Sequence, residues 1–344
     1  MNAAEVLSRL HEFDAVIDAR SEAEYEEDHL PHAVNWPTLS SEERMVIGTL
    51  YKQVNQFEAK KRGAALAARN IAAHIERDVI DKPKDWKPLA YCWRGGKRSG
   101  SLSLVLDQIG FKVTLVEGGY KAFRAAMLLD IPQRVAPLQL RVVCGTTGSG
   151  KTRLLQALAS LGAQVLDLEA LANHRSSVLG AIPGVPQPTQ KRFDSLVWNA
   201  LRQFDSARPV FVESESKKVG NVAVPTALVD HMRASPCLNL TLPTAERVEL
   251  LLEDYDFFVQ NPQHFCERLE VLTEIRGKAV VSAWKEKVMA GDIRSVVQDL
   301  LTEHYDPVYV QSMLRNFRQF EQAIPIAPVD HTMQAMQALA RKLL

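Results

Sequence analysis

Cysteine is scarce: four in 344 residues, and none of Cys92, Cys144, Cys237 and Cys266 stands in a C-x-x-C pair. That spacing excludes a zinc ribbon or a dithiol redox motif, and scattered thiols fit a reducing compartment rather than a disulfide scaffold. An excess of one charge is missing too. The 41 Lys+Arg balance 41 Asp+Glu for a formal net charge of +0, which excludes a globally basic nucleic-acid coat but leaves room for a local basic groove. No apolar run approaches the ~18 residues of a membrane helix. The opening MNAAEVLSRLHEFD has no basic stretch followed by an apolar one, so neither a membrane span nor a signal peptide is expected, and a soluble cytoplasmic protein is. Internal repeats and low-complexity tracts are also lacking.

What is present is ordinary for a globular chain: 46% hydrophobic and 24% charged residues, against disorder. At roughly 150 residues per domain, the length suggests two or three domains. Residues 14–18 read as a short buried strand, and Ser21 with Glu24 has the spacing of a capping box. Residues 87–91 and 112–116 read as further strands, with helices over 102–109 and from Tyr120. Strand–helix alternation implies a parallel α/β sheet. Pro132 and Pro137 punctuate residues 130–137 as a connector, which places a domain boundary near Ala136.

Beyond it the alternation restarts, with strands over 139–143, 164–166 and 209–212 and helices over 152–161 and 192–203. From Thr244 the apolar spacing turns helical, over 245–255 and 265–289. The expected partition is 1–135, 136–243 and a helical region 244–344 associated with the middle domain.

Three constellations carry chemistry. In the first, Cys92-Trp93-Arg94-Gly95-Gly96-Lys97-Arg98-Ser99 links a strand to a helix. Paired glycines allow the backbone to aim several N–H groups inward. The helix N-terminus and three cations then favour a thiolate at Cys92. The same nest suits an anion or a terminal chalcogen carried on the sulfur.

In the second, Gly145-Thr146-Thr147-Gly148-Ser149-Gly150-Lys151-Thr152 fits G-x-x-x-x-G-K-[ST] after a strand and before a helix. There backbone amides wrap a phosphate, Lys151 reaches its oxygens and Thr152 can bind Mg²⁺. Asp167 and Glu213, near later strand ends, are candidates for the metal-side acid, and a phosphate site that hydrolyses no nucleotide stays open. In the third, His174, Arg175, Gln190, Lys191, Glu213 and Glu215 lie after those strands. They are expected on the same sheet edge as the phosphate loop, offering contacts for a metal or for RNA.

The N-terminal part resembles the rhodanese family, through Val16-Ile17-Asp18-Ala19-Arg20, through His29-Leu30-Pro31-His32-Ala33-Val34-Asn35-Trp36-Pro37 and through Val116-Glu117-Gly118-Gly119-Tyr120. The resemblance implies a cysteine loop that carries a persulfide. Here Arg98 follows Cys92 by six residues, one more than in ordinary sulfurtransferase loops. That is the C-x5-R spacing with which cysteine phosphatases cradle phosphate, so a tetrahedral, phosphate-sized donor is expected.

The whole chain resembles the tRNA 2-selenouridine synthase family. This rests on Glu43-Arg44-Met45-Val46-Ile47-Gly48-Thr49-Leu50-Tyr51-Lys52-Gln53, on Leu166-Asp167-Leu168-Glu169 with Asn173-His174-Arg175, on Gln187-Pro188-Thr189-Gln190-Lys191, on Glu213-Ser214-Glu215-Ser216 and on His304-Tyr305-Asp306-Pro307. It implies a tRNA substrate, read at the anticodon loop, whose wobble 2-thiouridine becomes 2-selenouridine at the expense of selenophosphate. It also implies an S-geranylated intermediate made from geranyl diphosphate. The phosphate loop is then expected to hold the diphosphate, with a nucleotide or a tRNA phosphate as the alternatives and Mg²⁺ on Thr152 the one cofactor in view. Cys92 is expected to receive selenium or attack C2, and Arg94, Lys97 and Arg98 to stabilise phosphate. Trp36 and Trp93 are candidates to stack on the base. An enzyme that makes selenophosphate is the expected supplier; neither DNA nor a membrane is expected as partner. A P-loop NTPase or kinase with a sulfur-relay domain is the alternative.

Overall fold

The computed structural model describes residues 1–344, in two compact units: 1–133 with 188–199, and 134–187 with 200–344.

In the first unit, β1 (Ala15–Asp18), β2 (Ala33–Asn35), β3 (Pro88–Tyr91) and β4 (Thr114–Leu115) form a parallel sheet in the order β2-β1-β3-β4. β3 is buried at every residue, as expected of a parallel strand covered on both faces. Ile17, Trp36, Ile71, Trp86, Leu102 and Leu106 build the core around it. The end of β1 carries a fully buried ion pair, Arg20 to Asp18 at 2.6 Å. Arg20 also donates to the Asp28 carbonyl at 2.6 Å and lies 4.1 Å from the Tyr120 ring centroid. Deleting either charge would strand the other, at about 3–5 kcal/mol.

The capping box at Ser21 and Glu24 is formed. The strand expected over 112–116 shrinks to the two residues of β4. The connector expected over 130–137 is largely helix, because Gly119–Val135 runs on through Pro132. Proline removes one backbone donor there without ending the helix. Two helices, Ser41–Gln53 and Gln56–Asp78, form a hairpin between β2 and β3.

The second unit holds β5 (Gln139–Cys144), β6 (Gln164–Leu166), β7 (Pro209–Glu213), a small antiparallel ribbon of β8 (Lys218–Val219) and β9 (Val222–Ala223), then β10 (Cys237–Leu240) and β11 (Ile324–Ile326). The main sheet is parallel, ordered β11-β10-β5-β7-β6. The C-terminal region is therefore more than helical. β11 pairs with β10, Leu238 opposite Ile324, and helix Met333–Leu343 shares one core with helix Lys151–Ser160 through Leu154, Leu158, Met336 and Ala340. A second core, with Phe258, Phe265, Leu269, Trp284 and Leu300, belongs to the helices after Asp256. The single helix expected over 265–289 is broken, with Gly277 at φ 85 before helix Lys278–Met289.

Residues 188–199 belong to the first unit, which crosses the linear partition expected at 136. The Ser195 hydroxyl donates to Asp28 Oδ2 at 2.9 Å, Arg124 pairs with Asp194 at 2.6 Å, and Phe123 meets Trp198 edge to face. No helix is long and apolar enough to cross a membrane.

Candidate functional site

Cys92 follows β3 directly, and helix Lys97–Ile109 begins five residues later with Gly96 as its N-cap. The Cys92 sulfur accepts the Gly96 N–H and the Ser99 hydroxyl, both at 3.2 Å. Burial pushes the thiol pKa up. The Ser99 hydroxyl and N–H, the Gly96 N–H and the Arg98 charge outweigh it, and the net direction is below the ordinary thiol value. Cys92 is 3% exposed.

The loop is braced by the next strand–helix joint: Tyr120 N–H donates to the Cys92 carbonyl at 2.8 Å and Lys121 N–H to that of Trp93 at 3.1 Å. Gly119, at φ 60, has to be glycine, because a Cβ there would stand 2.2 Å from the Cys92 carbonyl oxygen.

The loop's three cations separate. Arg98 turns to Glu24, at 2.6 and 3.2 Å, and is a positioning charge. Arg94 and Lys97 are exposed at the rim. Trp36 is 5% exposed and packs with Trp86 and His74, so it is core. Trp93 is half-buried, stacked on Tyr120.

Gln190 and Lys191 were expected beside the phosphate loop. They sit in the first unit instead, because Asp194 and Ser195 tie their helix there. Gln190 donates to Asp194 at 2.8 Å. Lys191 reaches Glu27 at 2.5 Å, with its Nζ 5.9 Å from the Trp93 ring.

In the second unit the phosphate loop leaves β5 and opens helix Lys151–Ser160, with Gly148 at φ 75 and Gly150 at φ 88. Lys151 Nζ donates to the Gly145 carbonyl at 2.6 Å and lies 5.5 Å from the Tyr309 ring. The Gly145 N–H donates to the Tyr309 hydroxyl at 2.6 Å. Arg247 clamps the loop tip through the Thr147 carbonyl, at 2.7 and 2.9 Å, and is held bidentate by Asp306. Ser149 is fully buried and its hydroxyl has no partner.

The loop faces a cavity of about 380 Å³, whose wall includes Arg153, Glu169, Arg175, Ser176 and Glu215. Beside it is an apolar slot lined by Leu179, Leu251, Phe258, Leu300 and Tyr305; Thr147 and Tyr255 border both.

The acid next to Thr152 is neither of the two expected. Thr152 donates to Glu169 Oε2 at 3.1 Å. Asp167 instead caps the short helix Leu168–Ala172, accepting the Ala170 N–H at 2.8 Å. Glu213 accepts the Glu169 N–H at 2.9 Å, and its second oxygen has no partner. Glu215 accepts from Ser176. Burial raises all four acids, most strongly Glu213; in Glu215, burial and then the neighbouring Glu169 charge push the pKa to about 8.

Arg175 lies over the Tyr255 ring at 4.6 Å and donates to the Asp254 carbonyl. His174 pairs with Ala181 in an isolated bridge, and burial lowers its pKa. It does not line the cavity. Sequence reasoning missed Glu169 as the Thr152 partner, and Arg247 and Tyr309 altogether. The last two lie 100 and 164 residues from their loop partners, with no spacing to announce them.

Comparison with known proteins bears on both units. A family model described as the tRNA 2-selenouridine synthase AAA domain matches residues 138–274, and one for the rhodanese-like domain matches residues 2–126. The tRNA 2-selenouridine synthase of Sulfurovum sp. is 32% identical over 332 residues, 88% of this chain and 89% of that protein. That of Alcanivorax borkumensis is 35% identical over 327 residues, 86% of this chain and 88% of that protein. That of Nitrosomonas europaea is 37% identical over 244 residues, 70% of this chain and 63% of that protein, so there the match spans less than two thirds of the relative.

Proposed function

Because this chain belongs to the tRNA 2-selenouridine synthase family, we propose that it exchanges the sulfur of a wobble 2-thiouridine in tRNA for selenium. Selenophosphate is the donor, and an S-geranylated uridine made from geranyl diphosphate is the intermediate. Supplying selenophosphate falls to an enzyme that makes it, and the cytoplasm is the proposed place of action.

The first step is assigned to the second unit. The phosphate loop and Lys151 bind the diphosphate, and the apolar slot beside Thr147 takes the start of the isoprenoid tail. The thiouridine sulfur attacks the allylic carbon. The S–C bond forms, the C–O bond breaks, diphosphate departs with the electron pair, and the N3 proton is lost to a base. Thr152 and Glu169 offer a hydroxyl and a carboxylate 3.1 Å apart, hard oxygen donors of the kind Mg²⁺ takes alongside phosphate oxygens. A bound Mg²⁺ would neutralise diphosphate charge.

The second step is assigned to the first unit. An alkylated sulfur leaves more readily than a thiocarbonyl sulfur. The Cys92 thiolate adds to C2 and geranylthiol departs. The selenium of selenophosphate then adds to C2 and the Cys92 thiolate leaves. Water takes the phosphoryl group as phosphate, and N3 regains its proton. Arg94 and Lys97 at the rim stabilise the departing phosphate, while Arg98 holds the loop through Glu24.

The observation that carries this reading is the pair of hydrogen bonds to the Cys92 sulfur at 3.2 Å, on a chain otherwise matched to the family over 88% of its length. The test is mass spectrometry of wobble nucleosides after incubation of thiolated tRNA with both donors. Cys92→Ser is expected to keep geranylation and lose selenation. Loss of both products would refute the division of labour. The phosphate loop alone favours an NTPase with a sulfur-relay domain as the second reading, which rapid tRNA-stimulated ATP turnover would support.

A further inference from the structure

Neither proposed step uses the hairpin at residues 41–78, although its stretch 43–53 was singled out in the sequence. We infer that the end of this hairpin is a docking surface for RNA. In it Tyr51 and Phe57 stack on unpaired bases, and Lys52, Lys60, Lys61 and Arg62 hold backbone phosphates. The inference rests on the proposed tRNA substrate and names where that substrate is gripped.

Three observations carry it. Helix Ser41–Gln53 buries none of its 13 residues. It packs on one side along the second helix: Gly63 lets Ile47 approach, with a Cβ at 63 standing only 3.4 Å from Ile47 Cγ2, and Asn70 and Arg69 donate to Glu43 at 2.7 and 3.2 Å. Large apolar side chains of the hairpin are left in solvent, with Met45 68%, Val46 57%, Tyr51 44%, Val54 74% and Phe57 67% exposed. Large apolar side chains grouped this way mark an interaction site.

Charge then selects the partner. Between residues 51 and 62 stand four cations against the single anion Glu58, in a chain that is neutral as a whole. Only Lys61 is paired, with Glu58 at 2.5 Å, and its Nζ lies 5.1 Å from the Phe57 ring centroid. A second copy seated on this surface would bring like charges together, which costs affinity. A polyanion with accessible base faces satisfies both the cations and the rings, the combination used on single-stranded nucleic acids and RNA loops.

The test is equilibrium binding of the full chain to a fluorescent anticodon stem-loop RNA carrying 2-thiouridine, across a salt series. Replacing Lys60, Lys61 and Arg62 together by Ala is expected to weaken binding at least about tenfold. It should also flatten the slope of log K against log[salt] by about 2–3, one unit per lost phosphate contact. The double substitution Tyr51→Ala with Phe57→Ala is expected to weaken binding about tenfold with the slope unchanged. Both variants should keep the alkylation rate of Cys92, which shows the unit is folded. Wild-type affinity in both variants overturns the inference. So does a dimer of the unchanged chain that both variants dissociate without altering RNA affinity. Failure of the tRNA reading shows separately, as an unaltered wobble base after incubation of the unchanged chain with both donors.

Discussion

The cysteine loop and the phosphate loop are both glycine-bearing turns from a parallel strand into a helix, yet they are completed in different ways. Around Cys92 nearly every partner comes from its own loop or from the Gly118–Gly119 joint one strand later. The result is a closed nest around one sulfur atom. Around Lys151 the walls come from far away: Arg247 and Asp306 clamp the tip, Tyr309 receives the Gly145 N–H, and Arg175, Ser176 and Glu215 close the far side. The first arrangement tunes an atom; the second shapes a volume. A reactive sulfur needs a few short hydrogen bonds, which one loop can supply, whereas an extended substrate needs surface, which only several segments can.

The sharpest way to break this comparison is Lys151→Ala. It should slow geranylation by on the order of 10²–10³-fold while leaving the alkylation rate of Cys92 as it was; a parallel loss of thiol reactivity would show the two loops are not independent. Next in size is Gly119→Ala. Its Cβ clash with the Cys92 carbonyl and its positive φ should cost about 2–4 kcal/mol, read as a drop in the thermal midpoint. No drop would mean the joint does not brace the loop.

Ser99→Ala sharpens the electrostatic half. The native thiol lies below its ordinary pKa because hydrogen bonds offset burial. Removing the hydroxyl should move the pH profile of iodoacetamide alkylation upward and slow the reaction at pH 7 about threefold. An unmoved profile would assign the shift to the backbone N–H groups alone.

The smallest effect concerns the cavity. Glu215 has its pKa raised to about 8, so it is largely neutral below that pH and gains a negative charge above it. Diphosphate affinity should fall about threefold as pH rises through this range, by charge repulsion, and Glu215→Gln should flatten the dependence. A wild-type profile in the variant would move the titration to another group.

How much of this could be read in advance follows the same division. The cysteine nest and the phosphate loop were legible because each is written in eight consecutive residues. The choice of Glu169 over Asp167 was not, since two acids two residues apart after one strand look alike until the short helix Leu168–Ala172 uses one as its cap. β10 and β11 were missed for being four and three residues long; β11 also carries Pro325, tolerable only because it is an edge strand. Pro132 misled in the opposite direction, as a helix interior read as a break.

The interleaving of the two units sets a timetable for the newborn chain. The Asp28 carboxylate is buried, and one of its hydroxyl donors is Ser195. On the ribosome, the first sheet is therefore made long before its last strap, residues 188–199, emerges. Before that strap arrives, β5, β6 and the phosphate loop of the other unit have already been translated. Maturation of the sulfur-bearing half is thus deferred until residues 188–199 exist, and a fragment ending near residue 136 would keep the Tyr120 hydroxyl on Asp28 but lack the one from Ser195.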